Sequence, residues 1–241
     1  MFLKKEINTK ATDKKTLFIY YRPNTTDEKV IPEVLQKNVY QSPKFKFFLE
    51  ETDRWLDLGG NIGTFSLLCL NKNIPVVSFE PESENFELLQ KNVETNFGKT
   101  KLFKGFQKAI GLHNGKLPLY LCKGDYNKYR HTLCPKRGRD TIMVPIVSII
   151  DIIQKYSINS IKIDIEGYEI ELLEKISLQD LKPIRKLVYE YSFDVDKSIP
   201  RFLNIVKKLK KHFKFVQYDK VKDNELQYNY YPPCVNVYCH F

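Results

Sequence analysis

The chain has 241 residues, and 39 lysines and arginines against 29 aspartates and glutamates give it a formal net charge of +10. This length suffices for one substantial α/β core, and no second domain is required. Residues 1–8 carry charges where a signal peptide needs an apolar stretch, and no apolar run approaches membrane-span length. We therefore expect a cytoplasmic protein without a membrane span, while the positive charge keeps nucleic acid open as a partner.

The cysteine pattern argues against a disulfide framework and against zinc. None of the five cysteines belongs to a C-x-x-C pair: Cys69, Cys122, Cys134, Cys234 and Cys239. An odd number with this spacing is typical of reduced thiols in a cytosol-like compartment.

The N-terminal part of the sequence is predicted to be an extension packed on a larger domain. Residues 16–21 are predicted to form a strand and residues 42–50 a helix, both ahead of an apolar strand at Trp55. We place the boundary after residue 50, so that 1–50 is the extension and 51–241 the main domain.

Residues 55–66 are predicted to form a buried strand, a glycine-rich turn and the start of a helix. Glycine tolerates positive φ and has no Cβ, so Gly59 and Gly63 permit a sharp turn and close approach of a ligand. The pattern D-x-G-x-N-x-G differs from the dinucleotide fingerprint and has no lysine for phosphates, whereas Asp57 offers a carboxylate to an ammonium group. It resembles the first motif of the S-adenosylmethionine (AdoMet) methyltransferases. The alternative is an ordinary strand-to-helix turn.

The next strand, at residues 74–80, ends in Glu80. Its spacing from the glycine turn suits an acid that binds the two hydroxyls of a ribose. The alternative is an acid favoured by the dipole of the following helix. Residues 102–111 then predict a third strand and a loop, in which the small Ala109 lets backbone groups reach an adenine edge. Strands alternating with helices over 55–110 predict a parallel sheet with right-handed crossovers.

A further apolar strand near residues 160–166 carries three charged residues, Lys162, Asp164 and Glu166, which alternation places on one side. Charges on an otherwise hydrophobic strand are costly to bury unless they pair or take part in chemistry. A purely structural ion pair from Lys162 to Asp164 or Glu166 is the alternative. A helix is predicted at 169–176.

The remaining segments complete the predicted sheet. Residues 123–140 are predicted to form a polar, basic loop in which Tyr126, Tyr129 and His131 are suited to stacking on sugars or bases. Three further elements are a strand at 186–191, a helix from Pro200 to near His212, and a hairpin of strands 213–218 and 234–241 at the sheet edge.

Four segments carry these motifs along the chain: DLGGNIGTFS (57–66), FEPESENFELLQKNVETN (79–96), KAIG (108–111) and KIDIEGYEIELLEKI (162–176). Taken in this order, they resemble the FkbM family of AdoMet-dependent O-methyltransferases. The resemblance implies a class I methyltransferase fold: an α/β, mostly parallel seven-stranded sheet with helices on both faces. It implies AdoMet as cofactor and hydroxyls of sugars or polyketide-like metabolites as acceptors. Carried over by position, Asp57, Gly59, Asn61 and Gly63 hold the methionine part, Glu80 the ribose, and Asp164 with Glu166 the reacting side.

Three functions follow. The favoured one is methylation of a sugar or glycan hydroxyl with Asp164 as the base. His131 is a second candidate base, and a variant has Asp164 and Glu190 binding Mg²⁺ or Mn²⁺. The second is an RNA 2′-O-methyltransferase or RNA-binding protein that uses the basic loop. The third is an inactive interaction module, against which the intact set of Asp57, Glu80 and Asp164 argues.

Overall fold

A computed structural model of the chain describes residues 2–8, 16–122, 131–135, 139–193, 195–219 and 234–241. Within these ranges the strands are, in chain order, β1 Leu3–Ile7, β2 Leu17–Tyr21, β3 Trp55–Leu58, β4 Val76–Phe79, β5 Phe103–Phe106, β6 Ala109–Gly111, β7 Gly115–Tyr120, β8 Thr141–Ser148, β9 Ser160–Ile163, β10 Lys186–Ser192, β11 Phe215–Tyr218 and β12 Cys234–His240. The helices are α1 Asp27–Leu35, α2 Thr64–Asn71, α3 Ser83–Phe97, α4 Ile149–Tyr156, α5 Tyr168–Lys175 and α6 Ile199–Leu209.

Seven strands form the main sheet in the order β11-β12-β10-β9-β3-β4-β5. Neighbours from β10 to β5 are parallel, and β12 is antiparallel to both β10 and β11. The predicted mostly parallel seven-stranded sheet is thus confirmed. The two C-terminal strands pair as predicted, but β12 lies inside the sheet, because it buries Val237 on one face and Tyr238 on the other. The edge strand at this end of the sheet is β11, and β5 forms the other edge.

Helices cover both faces of the sheet, as expected. Leu56 and Leu58 of β3 belong to a hydrophobic cluster with residues of α4, α5 and α6, whereas Trp55 belongs to a cluster with residues of α1, α2 and α3. This alternation follows from the two-residue period of a strand. Helices α5 and α6 each begin one residue before their predicted starts. No helix in the described ranges is both long enough and apolar enough to cross a membrane.

The N-terminal residues belong to one of the two hydrophobic clusters that flank the main sheet. Ile19 of β2 and Leu35 of α1 are fully buried in the same cluster as Trp55 and Phe65. The helix expected at 42–50 is wrong. This segment forms turns and a Ser42–Phe47 bridge, because Phe47 and Leu49 are buried and Phe48 is exposed, which is the period of an extended chain.

Two asparagines of α3 tie this N-terminal segment to the main domain. The Asn92 side chain accepts a hydrogen bond from Tyr20 N (2.6 Å) and donates to Tyr20 O (3.0 Å) and to Ile62 O (2.8 Å). Asn96 does the same with Phe18 N (2.8 Å) and Phe18 O (2.6 Å). The two side-chain amides therefore stand in for a neighbouring strand along the free edge of β2.

A second, three-stranded sheet has the order β6-β8-β7. β6 is parallel to β8, and β7 is antiparallel to it. Ala109 opens strand β6, so the expectation that it lies in a loop is wrong. Pairing of Ala109 with Ile146 fixes it beside the end of the main sheet.

Candidate active site

Four residues each come one position after residues that are paired in register on neighbouring strands. Three of them follow the last residue of β4, β3 or β9, and the fourth, Glu190, lies within β10. Leu58 of β3 lies beside Phe79 of β4 and Ile163 of β9, and Ile163 lies beside Tyr189 of β10. The next residues along these four strands are Glu80, Gly59, Asp164 and Glu190. All four line a cavity of about 470 Å³ at the carboxyl ends of the strands, which is where open α/β sheets bind ligands.

The glycine turn is shaped by the neighbouring strand. Gly59 has φ +80°, and a Cβ on it would lie 1.9 Å from the carbonyl oxygen of Asp164. Gly63, with φ +90°, precedes the first turn of α2. Only a residue without a Cβ fits at Gly59, so the ends of β3 and β9 meet there backbone to backbone.

Asp57 does not line the described cavity. Its side chain is fully buried and accepts hydrogen bonds from Ser66 Oγ (3.0 Å) and Ser78 Oγ (3.1 Å). Its Oδ1 lies 3.1 Å from Lys162 Nζ. The expectation that Asp57 presents its carboxylate directly to an ammonium group is therefore corrected, because these three partners turn it into the protein interior behind the glycine turn.

Lys162 links the glycine turn to Asp164. Its Nζ donates to the carbonyl oxygen of Gly59 (2.7 Å) and lies 4.0 Å from Asp164 Oδ2. Burial lowers its pKa, but the charges of Asp57 and Asp164 outweigh burial and leave that pKa raised. Lys162 thus stays charged. The structural ion pair between Lys162 and Asp164 that the sequence suggested is present, but the Lys162 ammonium group lies closer to Asp57 (3.1 Å) than to Asp164 (4.0 Å).

The residues predicted on one side of β9 do share the cavity. Lys162, Asp164 and Glu166 all line it. The reason differs from simple alternation, since β9 ends at Ile163 and the chain turns at Glu166 with φ +55°.

Glu80 follows β4, so it lies at the end of the row of four residues that is farthest from Glu190. Its Oε2 accepts a hydrogen bond from Asn61 N (2.8 Å) and its Oε1 accepts one from Glu82 N (3.0 Å). Burial raises the pKa of Glu80 to about 7, against these backbone hydrogen bonds. The cap of α3 is Glu82, which accepts from the amides of Glu84 and Asn85. Glu80 therefore does not cap α3, but its hydrogen bond from Glu82 N keeps it beside the N-terminus of that helix, where the helix dipole also favours an acid.

Two further residues that line the cavity, Asn61 and Ala109, fit a polar nucleoside ligand. Asn61 adopts φ +47° and lines the cavity, and its buried Oδ1 has no hydrogen-bond partner within the described ranges. Buried polar atoms are normally paired, so this oxygen suits a ligand donor. Ala109 lines the same cavity, and its role beside an adenine stays a prediction.

Asp164 is held by a residue from the N-terminal segment. Tyr40 Oη donates a 2.6 Å hydrogen bond to Asp164 Oδ2. Burial and the charge of Asp164 raise the pKa of Tyr40 well above its usual range, so its hydroxyl remains a donor. Glu190 has a pKa raised by burial and by the charges of Asp164 and Glu166, and its carboxyl is hydrogen-bonded to the thiol of Cys234.

His131 lines the cavity, but its Nδ1 accepts a hydrogen bond from Cys122 N (3.0 Å). In the neutral ring the proton is then on Nε2, so the basic nitrogen is already engaged. Tyr126 and Tyr129 of the predicted basic loop lie outside the described residues, as do most of the basic side chains of that loop.

The described residues do not support the alternative in which Asp164 and Glu190 bind a metal ion. Asp164 and Glu190 line the same cavity, yet no group of three or more His, Cys, Asp or Glu side chains within the described ranges is placed to hold a metal ion.

Residues 57–216 match the family described as the methyltransferase FkbM domain. The chain belongs to the FkbM methyltransferase family. A comparison with curated protein sequences found no match.

The fold of this FkbM domain is also found in solved structures. The FkbM methyltransferase from Methylobacillus flagellatus KT has a TM-score of 0.52 at 16% identity; the match covers 85% of this chain and 50% of that one. The present chain thus spans half the length of that protein. The N-terminal domain of human METTL16 in complex with SAH has a TM-score of 0.42 at 15% identity, and the match covers 77% of this chain and 60% of that one. The Pyrococcus abyssi tRNA (uracil-54, C5)-methyltransferase, in complex with S-adenosyl-L-homocysteine, has 0.45 at 16% (99% and 43%).

The FkbM motifs do not include every residue of the site. Tyr40, Cys234 and Asn236 line the cavity and were not predicted from sequence. Tyr40 reaches Asp164 across 124 positions of the chain, and the other two belong to β12. No local pattern marks such residues, because their place depends on long-range packing.

Proposed function

We propose that the chain transfers a methyl group from AdoMet to a hydroxyl of a sugar or glycan. The observation that carries this proposal is the row of Glu80, Gly59, Asp164 and Glu190 along one cavity. Groups suited to a nucleoside and a carboxylate suited to an acceptor hydroxyl lie side by side in that row. Family membership supports methyl transfer as the chemistry.

AdoMet would supply a methyl group on a sulfonium centre. Glu80 would accept hydrogen bonds from the ribose hydroxyls, and Asn61 Oδ1 would accept one from a further donor of the ligand. Asp57 acts indirectly, by holding Lys162 and through it the carbonyl of Gly59. The glycine turn is thereby fixed before the ligand arrives, which is how positioning lowers a barrier.

On the acceptor side, Asp164 takes the proton. As the hydroxyl oxygen forms its bond to the methyl carbon, the carbon–sulfur bond breaks, and the hydroxyl proton passes to the Asp164 carboxylate. The products are a methyl ether and S-adenosylhomocysteine. Glu166, on the same turn, completes the acidic wall of this side.

The charge of the wall favours a sugar over RNA. In the described part of the chain, the cavity is lined by five carboxylate residues and two lysines: Glu33, Glu80, Asp164, Glu166, Glu190, Lys29 and Lys162. Lys162 is paired with Asp57. Burial raises the pKa of Glu80 to about 7 and that of Glu190 above its ordinary value, so these two carboxyls are partly protonated near neutral pH. The wall still gives phosphates little attraction, whereas its carboxyl groups form hydrogen bonds with neutral hydroxyls.

The test measures transfer of a labelled methyl group from AdoMet to a panel of neutral methyl glycosides, with a short RNA as comparison. We expect turnover of at least one sugar. Asp164→Asn should lower turnover about 10²- to 10⁴-fold, the usual contribution of a general base, with AdoMet affinity near wild type by calorimetry.

Three other results would revise the proposal. Turnover of the RNA but of no sugar means that the acceptor class is wrong. If chelation abolishes activity, magnesium restores it and Glu190→Gln fails as badly as Asp164→Asn, the two carboxylates bind a metal. If the protein does not bind AdoMet, the remaining hypothesis is that it is an inactive interaction module.

A further inference from the structure

The N-terminal segment that precedes the matched FkbM residues forms one wall of the cavity. Lining residues from it are Lys29, Val30, Glu33, Val34, Val39 and Tyr40. The family match begins at residue 57. The segment is therefore placed to act in the reaction although it lies outside the matched domain.

We propose that Tyr40 is a positioning residue that sets the carboxylate of Asp164 toward the acceptor. The inference rests on the proposed function. Tyr40 Oη donates to Oδ2 of Asp164 at 2.6 Å, and the nearest ammonium group, Lys162 Nζ, lies 4.0 Å from the same oxygen. Within the described ranges no hydrogen bond reaches Oδ1, which leaves that oxygen for the proton of the acceptor.

The Tyr40 ring is itself held firmly. It is 6% exposed, packs edge to face on Phe65 with centroids 5.4 Å apart, and lies 5.2 Å from Lys162 Nζ. The hydroxyl therefore projects from a fixed ring, and its hydrogen bond restricts the rotation of Asp164.

The backbone beside Tyr40 is fixed by β12. The carbonyl oxygen of Val39 accepts hydrogen bonds from Tyr238 Oη (2.7 Å) and Asn236 Nδ2 (3.2 Å). At the other end of the segment, Arg22 pairs with the buried Asp27 at 2.9 Å and donates to Asn85 Oδ1 at 2.7 Å. Both ends are thus anchored to the main domain, so the segment can carry a residue whose placement matters to the reaction.

Tyr40→Phe is the sharpest test, because it removes the hydroxyl and keeps the ring. With the sugar turned over by the wild type, we expect kcat to fall about 10- to 100-fold, the effect of losing one hydrogen bond to a charged group. The KM for AdoMet and the thermal midpoint should stay near wild type. The matched control is Tyr189→Phe: the Tyr189 hydroxyl is buried, has no hydrogen-bond partner within the described ranges and does not line the cavity. Its kcat should not change.

A double-mutant cycle separates a positioning role from an independent one. If Tyr40 acts through Asp164, Tyr40→Phe has no further effect in the Asp164→Asn background. Multiplicative losses, or an unchanged kcat in the single variant, would overturn the inference while the proposed function stands. A wild type that methylates no sugar removes the proposed function, and this inference falls with it.

Discussion

At the scale of single residues, the site separates carboxylates that hold the protein together from those that face a ligand. Asp57 and Glu80 follow similar apolar runs and read alike in sequence. Asp57 is surrounded by Ser66, Ser78 and Lys162, whereas Glu80 keeps an open side toward the cavity. The difference lies in neighbours contributed by other elements, so it could not be predicted from either segment alone.

The raised pKa of Glu80 makes cofactor binding depend on pH. Ribose hydroxyls donate to the ionised carboxylate, so binding favours that form. Because burial places the pKa of Glu80 at about 7, AdoMet affinity should weaken as pH falls below 7, by up to about tenfold per unit. Calorimetry from pH 5.5 to 8.5 measures this dependence.

Glu80→Gln is the control for that titration. It should lose about 1 to 3 kcal/mol of affinity at pH 8, the cost of removing one partner of a buried hydrogen bond, and its remaining affinity should vary little with pH. A wild-type affinity that is constant over the range would contradict this role of Glu80.

At the scale of elements, the apolar strands that end in a glycine or an acid were predictable, since β3, β4 and β9 combine a buried run with a marked end. Helix α1 was missed, because Pro32 within it interrupts a helical pattern. The segment 42–50 was read as a helix although its burial follows an extended period. In both cases packing against the main domain decides the structure.

The contact between α3 and β2 offers a test at this scale. Asn92→Ala should destabilise the protein by about 1 to 3 kcal/mol, because it leaves the partly buried backbone groups of Tyr20 and the buried carbonyl of Ile62 without partners. Asn96→Ala, which removes the same type of contact at a more exposed position, should cost less. Urea unfolding compares the two, and equal losses would contradict the importance of burial here.

At the scale of the whole molecule, the cavity is assembled from distant parts of the chain. The motif strands supply Glu80, Gly59 and Asp164, which the sequence reading placed correctly at one sheet edge. Tyr40 and Asn236 arrive from either side of the matched domain. Local patterns were therefore enough to predict that Glu80, Gly59 and Asp164 lie near one another, but not that Asp57 is turned away from the cavity or which residues form the remaining wall, because tertiary contacts alone decide both.

A shortened chain tests how far the domain depends on its N-terminal part. Deletion of residues 1–50 removes Ile19, Leu35 and Phe47 from the core that contains Trp55 and Phe65, so we expect loss of cooperative thermal unfolding. Deletion of residues 1–6 alone removes mainly exposed side chains and should leave a cooperative transition. Circular dichroism with a hydrophobic dye follows both; a cooperative 51–241 fragment would show an independent domain.

The placement of β12 also sets an order of events during synthesis on the ribosome. β10 and β11 emerge before β12, yet β12 is the strand that joins them. Until residues 234–240 leave the exit tunnel, both earlier strands expose unpaired edges, which are sites for misassociation. Cys234 and Asn236 enter the cavity wall with that strand. Sheet closure and completion of the pocket are thus one late step, and a nascent chain that lacks β12 has neither.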